Sequence, residues 1–196
     1  MATDYEPERA EFSRDGHEAA RLEVYPQFFR RLPEELAYEY MGQWDRPVQR
    51  FLDVEFGIDT IVDVPVDSLR APLRVTFQER FLSRLWWPCL GVTVTAWNCD
   101  TGNPAELHKP GPDYFLCGCF DEGKMVDAYI LDRPRFVLNL IDGEFKPRHC
   151  QIRMNHKSQE YWSIEPKELR ELGCVAWSLK DQHCFIAERF MTEEDS

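Results

Sequence analysis

The sequence predicts a single mixed α/β (α+β) domain with a central mixed β-sheet flanked by helices. Three observations predict it: a helix-forming opening over residues 7–31, a block of β-rich runs after Arg50, and helix-forming segments again towards the C-terminus. The chain has 196 residues, 43% of them apolar, which is enough to enclose one sizeable core. One domain is therefore expected over 1–196, with frayed ends near 1–7 and 191–196.

In the opening segment Ala19, Leu22, Tyr25 or Pro26, and Phe29 recur near helical spacing, and Pro26 is placed to end or kink the helix. A second short helix is expected from Pro33, because a proline suits the first turn and Glu34 and Glu35 favour the positive end of the helix dipole. The pattern then changes to strands. Residues 56–66 (FGIDTIVDVPV) and 72–82 (PLRVTFQERFL) are β-rich runs separated by the turn-like Asp67-Ser68-Leu69-Arg70-Ala71, and they read as a hairpin. Residues 89–97 are a third expected strand, 98–112 a loop dense in Gly, Pro and Asn, and 113–120 a fourth strand. Further on, Pro134 is placed to begin a helix over 133–140, residues 161–164 read as a short strand, and 166–172 as a helix closed by Gly173.

Composition narrows the function. No apolar run approaches the ~20 residues of a membrane helix, and residues 1–14 carry acids and arginines where a signal peptide would be apolar, so a cytoplasmic protein is expected. Seven cysteines, an odd number in no regular framework, suit reduced thiols. A net charge of -12 argues against non-specific coating of nucleic acid, which draws its affinity from basic residues neutralising phosphates. Every Lys or Arg before Lys109 is nevertheless an arginine, from Arg9 to Arg84, either because a planar fork suits phosphate or because a GC-rich coding sequence favours that residue.

One constellation has the groups for chemistry. Asp59 lies in the first β-run, and Gln78 and Arg80 in the second. Side chains alternate along a strand, so Gln78 and Arg80 share a face while Glu79 points the other way. If the runs pair as a hairpin, Asp59 reaches the same end of the sheet. A carboxylate, an amide oxygen and a cation would then converge, the set needed to hold a divalent metal and a phosphate.

GIDTIVDV followed after a short turn by VTFQERF resembles the core of the PD-(D/E)XK, restriction-endonuclease-like, nuclease superfamily. The resemblance spans residues 16–120. It implies that Asp59 is the strand aspartate, that Gln78-Glu79-Arg80 is the bipartite element, and that Glu18, or less readily Glu23, is the first-helix acid. PDYFLCGCF resembles the strand that follows in some members, which would place Asp113 at the rim of the site. Gln78 stands where the family more often has a carboxylate, and Arg80 where it has lysine. Gln78 offers a neutral oxygen but less charge to attract the metal, and Arg80 can steady a phosphate but cannot act as a base. The implied activity is Mg²⁺- or Mn²⁺-dependent phosphodiester hydrolysis, of DNA sooner than RNA and at low rate. Asp59, Gln78, a backbone carbonyl beside it and Glu18 would hold the metal, and a homodimer is in keeping with restriction-type relatives.

Other features of the sequence bear on function. Arg84, Trp86, Trp87 and Trp97 would suit a nucleic-acid groove, although such aromatics more often pack. Asp63 shares the face of Asp59 and is a reserve ligand, as is Asp67, unless both merely edge the turn. Cys117 and Cys119, with His108 and Cys99, suggest zinc, but no C-x-x-C pair supports it and core packing is the simpler reading. His149-Cys150 and His183-Cys184 are sequence neighbours whose side chains would point apart on a strand, against a thiol-base pair. A rival function is an acidic interaction protein, such as an inhibitor, immunity protein or assembly subunit, that meets a basic partner. A small-molecule nucleotide hydrolase lacks the glycine-rich phosphate loop it would use.

Overall fold

The computed structural model describes residues 7–43, 45–85, 87, 92–98, 103–104, 106–144, 148–154 and 157–180. The chain opens with α1 (Pro7–Ala19), runs through one π-helical turn (Ala20–Val24) and continues as α2 (Tyr25–Phe29). In the π turn the Tyr25 N–H donates to the Ala20 carbonyl, five residues back. Pro26, expected to break or kink the helix, sits in the first turn of α2, where its missing N–H costs little. Arg30, at φ 53°, ends the segment.

The helix expected at Pro33 is a single 3-10 turn (Pro33–Glu35), and the chain goes straight into β1 (Ala37–Tyr40), a strand the sequence reading did not anticipate. A short α3 (Pro47–Phe51) and a second π turn (Leu52–Phe56) then lead up to the run read as strand, taking its first residue, and Gly57, at φ 70°, closes them. The strand proper, β2, is Thr60–Val64. It forms the expected antiparallel hairpin with β3 (Leu73–Ser83), with Thr60 opposite Phe77 and Val64 opposite Leu73.

The next strand, β4 (Val92–Asn98), leaves the central sheet. It pairs with the two-residue β5 (Asn103–Pro104) and later with β9, building a second sheet in the order β5-β4-β9-β8. The chain returns as β6 (Tyr114–Asp121), parallel to β3, and folds back through the positive-φ turn Glu122–Gly123 into β7 (Lys124–Asp132). The helix expected from Pro134 is α4 (Arg133–Ile141), capped by Asp132, whose side chain accepts from the Arg135 N–H. Strands β8 (Arg148–Met154) and β9 (Lys157–Ile164), helix α5 (Pro166–Glu171) and β10 (Val175–Ser178) complete the described chain.

The central sheet is therefore mixed and six-stranded, β1-β2-β3-β6-β7-β10, with β3 and β6 its parallel pair. Its two faces bury different partners. Val62, Val75, Phe77, Leu116, Ile130 and Trp177 pack against Ala20, Val24, Tyr25 and Phe28 of the opening helical segment. Phe115, Cys117, Tyr129 and Leu131 pack against Val92, Val94 and Ile164 of the second sheet and Phe136 and Leu169 of α4 and α5. Along β3 the alternation sends Phe77, Glu79 and Phe81 towards α1, and Thr76, Gln78 and Arg80 towards the other side. The expected central sheet with flanking helices is present, and one flank is shared with a second sheet. No helix among the described residues is long and apolar enough to cross a membrane.

Candidate functional site

Gly57 turns the chain out of the second π turn, and the next residues dock on β3: the Asp59 N–H donates to the Phe77 carbonyl at 2.8 Å. Asp59 thus stands just before β2, beside Gln78 and Glu79. Its Oδ2 accepts from Gln78 Nε2 at 2.5 Å and from the Glu79 N–H at 2.7 Å. The two residues expected to share a site are indeed together. They do not lie on an exposed sheet face: Gln78 is only 7% exposed, and its Oε1 is buried without a hydrogen-bond partner. That oxygen and the stem of Lys109 flank Gly57, where an added Cβ would sit 2.8 Å from Oε1 and 2.7 Å from Lys109 Cδ. Lys109 Nζ donates to the Asp53 carbonyl, and the Lys109 carbonyl accepts from Arg133 Nη2 at 2.5 Å. Burial holds the Arg133 guanidinium below its ordinary value, with Asp113 opposing the shift.

The remaining site residues are placed differently. Arg80 shares the face of Gln78, as expected, but its Nη1 donates to Thr95 Oγ1 on β4, so it ties the central sheet to the second one. Glu18 lies on α1, across the sheet from Gln78, and accepts both Nε and Nη2 of Arg21. Glu23, the other first-helix candidate, accepts the Met125 N–H at 3.2 Å. Asp113 clasps β3: its Oδ2 accepts from the Thr76 N–H at 2.8 Å and from Thr76 Oγ1 at 2.7 Å. Asp63 is held by Arg74, its cross-strand neighbour, through bonds of 2.9 and 3.0 Å, and these keep its carboxyl below the usual range. Asp67 lies in the exposed turn between β2 and β3. Among the described residues no group of three His, Cys, Asp or Glu side chains is arranged to hold a metal ion.

Of the residues read as nucleic-acid contacts, Arg84 is exposed, 3.8 Å from Asp121. Trp87 stacks on Tyr129 at 6.1 Å and donates from Nε1 to Asp127, so it packs instead of offering an open face. Trp86, Cys99 and the His183-Cys184 pair lie outside the described residues, as do the side chains of Trp97, His149 and Cys150. Cys117 and Cys119 are both buried, as core packing predicts, and burial raises the Cys119 thiol, helped by Asp127.

The best-organised polar cluster of the fold is one the sequence reading passed over. Glu79, pointing away from Gln78, buries a fully enclosed carboxylate that takes Tyr25 O–H on one oxygen and Thr60 Oγ1 (2.6 Å) and His17 Nδ1 on the other. Tyr25 is wholly buried, and its phenol is raised well above its ordinary value by desolvation and then by the Glu79 charge. Gly16 lets α1 approach, since an added Cβ there would lie 2.6 Å from the Phe81 ring. The signal was a glutamate between Phe77 and Phe81 on the apolar face of an alternating strand, because a charge is buried only when it is paired.

His17 borders a cleft of about 350 Å³ that Arg14, Arg21, Tyr38, Tyr40 and Thr60 also line. Asp59 joins the two clusters, since its carboxylate holds the backbone N–H of Glu79. No family model matches this chain, and no curated protein or solved structure is similar enough to match it.

Proposed function

We propose that the chain is a slow metal-dependent phosphodiesterase of restriction-endonuclease-like type, acting on nucleic acid through Asp59 and Gln78. The observation that carries this reading is the buried, partnerless Oε1 of Gln78, a residue whose Nε2 donates to the Asp59 carboxylate. An amide oxygen left without a donor costs roughly 1–3 kcal/mol. Turning the amide over would present Oε1 to a cation beside Asp59 and put Nε2 where the oxygen now lacks a partner. The residues fit a cation of low protein ligation: one carboxylate and one neutral oxygen suit Mg²⁺ or Mn²⁺, which keep most of their water and take further ligands from substrate phosphate. A divalent ion bound there supplies an activated water and neutralises the developing charge.

The chain's own residues divide the remaining work. Asp59, fixed by the Glu79 N–H, holds its carboxylate at the mouth of the hairpin. Lys109, whose stem lies with the Gln78 amide beside Gly57, is a better group to meet a phosphate than Arg80, which is turned to Thr95. Glu18 stays with Arg21 and takes no part.

The test is Mn²⁺-dependent cleavage of single- and double-stranded DNA and RNA by the parent, Asp59→Ala and Gln78→Glu. Cleavage that is lost in Asp59→Ala and rises in Gln78→Glu, which restores a second carboxylate, supports the reading. Absence of cleavage by every form, with no rise in melting temperature on adding Mn²⁺, overturns it. The net charge of -12 then favours the acidic interaction protein that meets a basic partner.

A further inference from the structure

We propose that Ser13, His17 and Glu79 form a separate, metal-free hydrolytic relay beside the α1 cleft, with a carboxylic ester as its substrate class. This does not rest on the phosphodiesterase reading, because Glu79 and Gln78 point to opposite faces of the sheet.

The geometry is a chain of three hydrogen-bonded groups. Ser13 Oγ lies 3.2 Å from His17 Nε2, one helical turn along α1, and His17 Nδ1 meets Glu79 Oε2. Tyr25 and Thr60 each give Glu79 their only hydroxyl hydrogen, so the carboxylate is an acceptor towards all three neighbours. Nδ1 of His17 therefore carries the hydrogen, and Nε2 is left as the atom that exchanges a proton with Ser13. The imidazole cannot easily swing away. The Tyr40 and Phe81 ring centroids lie 4.1 and 5.1 Å from its own, and only 11% of the side chain is exposed. A nucleophile within reach of a base, and a base oriented by a buried carboxylate, is the arrangement that activates a hydroxyl, and it is recognised by roles and geometry in any fold.

Arg14, next to Ser13 in sequence, lines the cleft with His17 and sits 3.8 Å from Asp15 and 3.9 Å from Glu11, both exposed. Arg21 is the other arginine that lines this cleft. In the first half-reaction Ser13 Oγ bonds to the ester carbon as its proton passes to Nε2. The carbon–oxygen bond to the alcohol then breaks, and the departing alkoxide takes that proton. Water repeats the sequence on the acyl-serine, releasing the acid and restoring the Ser13 hydroxyl.

The experiment treats the full chain with a biotinylated fluorophosphonate, which transfers phosphorus to an activated serine with loss of fluoride, and maps the adduct by mass spectrometry. p-Nitrophenyl acetate turnover is followed in parallel. The proposal expects an adduct on Ser13, no adduct and no turnover in S13A, and labelling at least ~10-fold slower in H17Q, as loss of a general base implies. Absence of an adduct on Ser13 overturns it. So does parent-like labelling in an H17Q protein whose circular dichroism matches the parent. The presence or absence of the parent's Ser13 adduct decides the matter if H17Q fails to fold.

Discussion

Replacing Glu79 by alanine should be the most costly single change in the polar interior. The side chain is fully enclosed and accepts from Tyr25, Thr60 and His17, so its loss strands three donors at once. Tyr25 is 0% and Thr60 5% exposed, and water cannot easily replace the missing oxygen for either. At roughly 1–3 kcal/mol for each buried group left unpaired, these two alone give about 2–6 kcal/mol. The middle of that range is about 4 kcal/mol. That is a large share of the ~5–15 kcal/mol that holds a domain folded. The assay is equilibrium urea unfolding followed by circular dichroism, with Tyr25→Phe and Thr60→Val measured beside it. Each of these should cost about 1–2 kcal/mol, because the carboxylate keeps its other donors. In a double-mutant cycle, Tyr25→Phe should cost much less once Glu79 is gone. A loss below about 1 kcal/mol for Glu79→Ala would refute the reasoning, because the network would then hold nothing together.

Four further outcomes follow from the geometry. Gly57→Ala should lose at least about 2 kcal/mol in the same unfolding assay, since φ is 70° and the new Cβ would meet Gln78 and Lys109, whereas Gly123→Ala, at φ 80° with nothing within 4 Å, should lose only about 1 kcal/mol. Asp113→Ala should cost about 1–2 kcal/mol by removing the acceptor of the Thr76 N–H and hydroxyl, read as a drop in melting temperature without loss of the p-nitrophenyl acetate turnover proposed above. Because Arg74 holds the folded Asp63 carboxyl low, the pair stabilises the fold above the unfolded carboxylate value of about 3.9 and loses that contribution as pH falls through the folded value; Asp63→Asn should flatten this part of the acid unfolding curve. Burial pushes the Tyr38 phenol up to about 12, so the folded state keeps its proton while the unfolded state loses it above about 10; stability should fall as pH rises from about 10 to about 12, and less steeply in Tyr38→Phe.

The hairpin of β2 and β3 was legible because alternation of apolar and polar residues is a local signal, and it also assigned Gln78 and Glu79 to opposite faces. What alternation cannot say is which sheet a strand joins. The run VTVTAW marks β4 plainly, yet its place beside β9 depends on contacts with residues such as Trp162 and Ser163, far along the chain. β1 was misread for a different reason. Pro33, Glu34 and Glu35 are strong opening residues for a helix, and they form one turn of it before pairing with β2 takes the next residues into the sheet. The site divides in the same way. Asp59 and Gln78 are hairpin neighbours and could be placed together from sequence, whereas Glu79 meets Tyr25 and His17 across 54 and 62 residues, a distance over which no spacing rule operates.

The π turn at Ala20–Val24 sets the phase of the opening helical segment. His17 and Tyr25 are eight residues apart, which on an unbroken α-helix turns them through about 800° and leaves them about 80° out of line. One extra residue absorbed within the turn takes back about 100°, leaving about 20°, so that both side chains descend on the same glutamate. A chain shortened by one residue at Leu22 would hold these two side chains seven residues apart, about 700° on an uninterrupted α-helix, and would keep the same alignment without the bulge. The irregular turn is thus the place where the opening segment stores one surplus residue without turning His17 away from Glu79.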